Sequence, residues 1–314
     1  MRLTRSVLAA GLLSAFVAGS ALADNHGRLN HTISVLESGG AAFGIFSGDR
    51  SASNARRLAR SDLDYVFIDM EHGPYDAETL QQVLFAMTDK AEIAKTGSLR
   101  MNTTPIVRIP VNGREMNQHI VKQVLDLGVF GVMFPMINTR EEAEFAIRSM
   151  RFPQARGSND MEPTGLRGRS PGNAVWYWGT TGSEYYEKAD LWPLDPEGEL
   201  LAVLQIESPE AVANIEEIIT VPGVGAIFIG PADLSTNMGV PRSHPEVQAA
   251  MATVLASCIK HNVPCGLTTG ASSVEARTKE GYRFVTVGGD GGISPGTADA
   301  LAKGREAAGR TGGE

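Results

Sequence analysis

The chain has 314 residues, a formal net charge of −8, 42% hydrophobic residues and two cysteines. So acidic a balance argues against nucleic acid or an anionic membrane surface as partner, since both are polyanions. Two cysteines exclude a disulfide-built scaffold; Cys258 falls in a helical stretch and Cys265 at the start of a strand, so two buried thiols are expected, with one disulfide as the alternative.

In chain order, Arg2 and Arg5 precede the apolar run LAAGLLSAFVAG, and the segment closes on Ala21-Leu22-Ala23. A charged start, a short apolar run and an A-x-A site describe a cleavable export leader over residues 1–23; the run is short for a membrane anchor. A mature chain starting at Asp24 has lost two positive charges and no acids, taking the net charge from −8 to −10. A periplasmic or secreted protein with no membrane contact after cleavage is the expectation.

About 290 residues remain, enough for one large α/β domain. Eight apolar runs follow at 41–47, 65–71, 105–110, 131–136, 201–207, 226–230, 264–270 and 284–290, each followed by a stretch of helical spacing. Such alternation predicts an α/β fold with a parallel sheet, and eight units suit a closed (β/α)8 TIM barrel occupying 24–314 as a single domain. An open doubly wound sheet is the alternative, but no glycine-rich phosphate turn follows an early strand. Two segments exceed ordinary connections: AEIAKTGSLRMNTT before the third strand, and Phe152 to Glu199 between the fourth and fifth strands. The second holds all three tryptophans within seventeen residues and is expected as a packed surface excursion or subunit contact rather than a ligand platform.

Reactive residues in a barrel stand at the carboxyl ends of strands. There the second strand delivers Asp69, Glu71 and His72, the third Arg108, the fifth Gln205 and Glu207, and the sixth Asp233. Gln205 and Glu207 are two apart and share a strand face. Two acids and an amide at one edge could hold a hard divalent cation and an oxygen-rich ligand. Helix capping explains Glu207 and Asp233 equally well at this point, and an ion pair with Asp69 or Glu71 is an alternative reading of Arg108. Lys122 and Lys260 lie in helical stretches and Lys90 near a helix end, poor places for a Schiff-base lysine.

The segments IDMEHGPYD, PIVRIP, GVMFPMINTREEAE, PTGLRG, QIES and IFIGPADLSTNMG, in this order, resemble the HpcH/HpaI aldolase family, metal-dependent class II pyruvate aldolases. The resemblance runs from about Phe43 to Asp290; the QIES and IGPADLS blocks with EHG are its specific part. It implies a (β/α)8 barrel, a homo-oligomer (commonly a hexamer) and reversible cleavage of a 4-hydroxy-2-keto acid to pyruvate and an aldehyde. It also implies that Glu207 and Asp233 hold Mg²⁺ (or Mn²⁺ or Co²⁺) and that Gln205 and the backbone of Ala232 position the ligand. His72 would then be the base, or act through a metal-bound water, Arg108 would stabilise enolate charge, and Asp126 would raise the basicity of His72. The chain departs from the family pattern in its leader, in a longer link after the second strand, and in about four extra residues between Arg108 and Asp126. A CoA-ester lyase of the citramalyl type and a non-catalytic keto-acid binder are the competing functions. The first calls for a basic patch, and the second needs no base such as His72.

Overall fold

Strands rich in Val, Ile, Leu and Phe pair only in parallel and return to where they began. The computed structural model describes residues 27–111, 113, 115–158, 160–288 and 293–310, so the expected leader and the last two residues of the eighth apolar run lie outside it. The strands are β1 (Ala42–Ser47), β2 (Tyr65–Asp69), β3 (Thr104–Arg108), β4 (Gly131–Phe134), β5 (Leu191–Trp192), β6 (Leu200–Ile206), β7 (Ala226–Ile229), β8 (Cys265–Thr268) and β9 (Phe284–Thr286). Their order β4-β3-β2-β1-β9-β8-β7-β6 is closed by pairing of β4 with β6. This is the expected (β/α)8 barrel, a single domain, with every expected run contributing its strand. The two-residue β5 pairs with the beginning of β6, which is therefore the fifth strand of the barrel.

Helices begin where the sequence offers caps. Ser51, Asp76, Thr139, Ser208 and Ser294 each accept a hydrogen bond from a first-turn amide, replacing the partners that a helix start lacks. Among the described residues no helix is long and apolar enough to cross a membrane.

Period-two alternation divides the apolar side chains into two cores. Phe43, Ile45, Val66, Ile68, Val107, Val132, Ala202 and Leu204 face the helices, whereas Ala42, Tyr65, Phe67, Ile106, Met133, Leu201, Val203, Ala226, Phe228 and Phe284 fill the barrel interior. Gly44 faces inward as well, and a Cβ there would collide with the ring of Tyr65. The interior core also contains Ile33, Val35 and Leu36 of the helix His31–Glu37, which stoppers the amino-terminal end of the barrel. Asn30 and Thr32 fasten this plug to backbone just ahead of three strands: Asn30 Nδ2 donates to the carbonyls of Phe130 and Glu199 (3.1 and 3.0 Å), and Thr32 Oγ1 to that of Asp64 (3.0 Å).

The excursion after β4 folds into helices Gly172–Trp178 and Gly182–Lys188. Trp178 stacks on Phe130 at 4.5 Å between centroids and donates from Nε1 to the Gly128 carbonyl at 2.8 Å, so it is the packed excursion that was expected. Cys258 and Cys265 are both buried free thiols.

Asp64 ties the amino-terminal end together. Its carboxylate accepts from the Phe43 amide (2.7 Å) and from both terminal nitrogens of Arg310 (2.7 and 2.8 Å), and it stands 3.0 Å from His31 Nε2. Burial alone would raise its pKa, but the Arg310 and His31 contacts outweigh burial and lower it from 3.8 to about 2. A carboxyl whose folded pKa is depressed stabilises the fold above its unfolded pKa and ceases to as pH falls through the folded value. Urea unfolding of Asp64→Asn at pH 7 should therefore show a loss of about 2 kcal/mol or more, and the gap from wild type should shrink between pH 4 and pH 2.

Candidate active site

The same alternation that fills the interior carries polar residues into its carboxyl-terminal layer. Above Leu201 and Val203 on β6 come Gln205 and Glu207; above Tyr65 and Phe67 on β2 comes Asp69; above Ile106 on β3 comes Arg108. Asp69 and Arg108 are register neighbours across β2 and β3. A cavity of about 260 Å³ opens at this edge, and Asp69, His72, Arg108, Gln205, Glu207, Ala232 and Asp233 all line it. The edge-to-face rings of Phe46 and Phe228 form part of its apolar wall.

Capping does not explain the two acids. The cap of the helix after β6 is Ser208, whose side chain accepts from the Ala211 amide, and this leaves Glu207 to face the cavity. The helix after β7 starts at Pro231 with Gly230 as its cap, so Asp233 lies inside the first turn. Gly230 offers no side chain to the helix start, which leaves the first-turn amides at Ala232 and Asp233 to an anionic ligand.

Glu207 is 3% exposed. Its Oε1 accepts from Gln205 Nε2 at 2.7 Å and its Oε2 from the Met136 amide at 3.1 Å. Met136 holds that amide in place from the left-handed region (φ 56°), a strained conformation for a residue with a side chain. Burial, then the negative charge of Glu71, and further that of Asp233, push the Glu207 carboxyl up to about 8. Gln205 is 2% exposed and its Oε1, also buried, has no protein partner. Glu71 is itself raised, by burial first and with Asp69 and Asp233 adding to it. Hard oxygens, one of them an orphaned amide carbonyl, and more negative charge than the nearby cations offset form a donor set that fits a divalent ion.

Arg108 does pair with both acids that were its alternative explanation. Its Nε donates to Asp69 Oδ1 at 2.9 Å, one terminal nitrogen pairs with Asp69 Oδ2, and the other lies 3.1 Å from Glu71 Oε2. Asp69 also accepts from the Glu71 amide at 3.0 Å. Burial opposes its charge, but Arg108 keeps its pKa below the ordinary value. His72 is exposed on this loop, its Nε2 3.8 Å from Glu71 Oε2.

Asp126, expected beside His72, does not line this cavity within the chain. It lies in the last turn of the helix Gln118–Leu127, which runs back toward the amino ends of the strands. There it pairs with Lys122 and accepts from Arg167 Nη2 at 2.9 Å. The acids beside His72 are Glu71 and Asp69. A further acidic group, Asp160, Asp190 and Asp195, has ligand oxygens within 4.8 Å of one another. It belongs to the excursion, where the buried Arg151 donates from Nε and Nη2 to Asp190 at 2.7 Å each and so offsets one of its three charges. Residues not foreseen are Phe46, Phe228 and Gly230, which period-two alternation could have placed inward, and Arg242, for which nothing in the sequence signalled a place.

A family model for HpcH/HpaI aldolase/citrate lyase matches residues 42–294. The chain belongs to this family. A 2-dehydro-3,6-dideoxy-6-sulfogluconate aldolase from Pseudomonas putida is 31% identical over 87% of this chain and 97% of its own length. A 5-keto-4-deoxy-D-glucarate aldolase from Salmonella arizonae is 31% identical over 80% of this chain and 86% of its own. An HpcH/HpaI family structure from Burkholderia cenocepacia J2315 superposes with a TM-score of 0.68 at 31% identity, covering 83% of this chain and 93% of that one. The protein is thus an aldolase, a carbon–carbon lyase acting on small molecules, and HpcH/HpaI aldolases are divalent-metal dependent.

Gly230 is where this HpcH/HpaI aldolase needs the absence of a side chain. A Cβ there would overlap Glu207 Oε1 and stand 2.8 Å from its Cγ. Gly230→Ala should displace the carboxylate and lower turnover by about 10² or more, since misplacement by an ångström suffices for that, while circular dichroism still reports a folded barrel.

Proposed function

We propose that the protein reversibly cleaves 4-hydroxy-2-keto acids into pyruvate and an aldehyde, using Mg²⁺ or a similar divalent ion held by Glu207 and Asp233. The observation that carries this reading is Glu207 itself, a buried carboxylate crowded by Glu71 and Asp233 and pushed up to about 8, an arrangement that a bound cation relieves. When bound, the ion supplies electrophilic stabilisation of the keto oxygen. Gln205 and the Ala232 amide orient the keto acid. His72 takes the proton from the 4-hydroxyl, the C3–C4 bond breaks, the aldehyde leaves, and the electron pair remains on the pyruvate half as an enolate. The Arg108 guanidinium, fixed by Asp69 and Glu71, faces that developing charge. The relatives' names, sulfogluconate and glucarate, extend the same proposal to keto acids derived from sugar acids. A CoA-ester lyase is the weaker reading for a chain of net charge −8.

The test is pyruvate release from a panel of 4-hydroxy-2-keto acids, with and without chelator. Chelation, Glu207→Ala or Asp233→Ala should abolish it in a protein that stays folded. Oxaloacetate decarboxylation forms the same enolate without a 4-hydroxyl to deprotonate. His72→Ala should therefore lose cleavage by about 10²- to 10⁴-fold more than decarboxylation, whereas Arg108→Ala should lose both. Equal losses in His72→Ala would return His72 to an orienting role.

Export and self-association belong to the same proposal. The leader-like residues 1–23 support cleavage before Asp24, and amino-terminal sequencing of periplasmic protein should read Asp-Asn-His. Exposed Trp176, Phe85 and Leu99, around an apolar groove of about 400 Å³, support a homo-oligomer such as the family's hexamer.

A further inference from the structure

The cations at the cavity are not equivalent. Arg108 is committed: three of its nitrogens already serve Asp69 and Glu71, and its guanidinium lies 4.4 Å from the ring centre of Phe46. Arg242 lines the same cavity from the loop that follows the helix bearing Asp233, and its exposed guanidinium has no hydrogen-bond or ion-pair partner among the described residues.

Its backbone, in contrast, is held on both sides. The preceding helix ends on Gly239 in the left-handed region, with the Val240 amide donating to the Ser235 carbonyl at 3.2 Å. The His244 amide then donates to Pro241 O at 2.8 Å, and Gln248 Nε2 to the carbonyl of Arg242 itself at 3.0 Å. A fixed turn thus presents a free planar cation to the mouth of an acidic cleft.

The pyruvate half of a substrate is accounted for by the buried Gln205 and Glu207 together with Asp233 and the Ala232 amide at the start of the preceding helix, whereas Arg242 is exposed on the loop beyond that helix. What reaches the mouth is the far end of the aldehyde half. An acid group there meets repulsion from Glu71, Glu207 and Asp233 unless a cation receives it, and a guanidinium receives a carboxylate or sulfonate through two parallel hydrogen bonds. We infer that Arg242 is the specificity-determining residue that selects aldehydes bearing a distal acid group. The inference rests on the aldolase reading above and adds to it the residue that chooses the second product.

The experiment is aldol addition of pyruvate by the full mature protein with a divalent ion, using three aldehydes: succinic semialdehyde, sulfoacetaldehyde and uncharged butyraldehyde. Wild type should favour at least one of the acidic aldehydes over butyraldehyde in kcat/KM by about 10- to 100-fold, the range of a hydrogen-bonded charge. Which of the two it favours identifies the oxyacid. In Arg242→Ala that ratio should collapse toward one, and Arg242→Lys, which keeps the charge but not the fork, should recover part of it. A ratio that Arg242→Ala leaves unchanged, or an equal loss with all three aldehydes, overturns the inference while the aldolase reading stands. Wild-type protein that neither condenses any aldehyde nor exchanges the methyl protons of pyruvate takes both down.

Discussion

Everything at this site depends on how narrow the interior of an eight-stranded barrel is. Each strand contributes every second side chain to that space, and the space is filled rather than open. Deep in the barrel the filling is Tyr65, Phe67, Phe228 and Phe284, in mutual edge-to-face and stacked contact. One layer higher, the same register positions become Asp69, Arg108, Gln205 and, just past β6, Glu207. The charged groups are brought together because the aromatic layers beneath leave them nowhere else to go, and the rigidity of those layers keeps them in place.

Charge balance explains why the members of this layer differ. Asp69 and Arg108 satisfy each other and behave as a fixed pair that shapes the loop carrying Glu71 and His72. Glu207 has only neutral donors, an amide side chain and a backbone N–H, and faces two further acids. One strand edge thus carries a neutralised pair and, beside it, a deficit of positive charge. Binding of a cation is therefore localised to one side of the cavity, leaving the other for the organic part of the ligand.

The fold was legible because its strands are buried on both faces and read as continuous apolar runs, which alternate with helical stretches eight times. Gln205 and Glu207 were legible for the same reason, since period two places them on one face. The placement of Asp126 was not legible, because matching residues along the chain does not say at which end of a helix they emerge; in a β/α unit the last turn of the helix returns to the amino ends of the strands. Arg242 was invisible because its position is set by a turn, through a left-handed Gly239 and backbone bonds that carry no periodic signal. The role of Asp64 could not be read either, since its partners His31, Phe43 and Arg310 are spread over nearly the whole chain.

The helix His31–Glu37 that stoppers the barrel has a consequence for the order of events during synthesis. Its seat includes the carboxylate and carbonyl of Glu199, which receive Leu29, Asn30 and the Asn30 side chain across a separation of about 170 residues. The segment is made early, yet its docking surface does not exist until β4 and the strands after it have been added. Contacts of such long sequence separation form slowly, because the intervening loop must close before they contribute anything. The plug segment thus waits for Glu199, and the barrel stays unstoppered until most of the polypeptide has emerged.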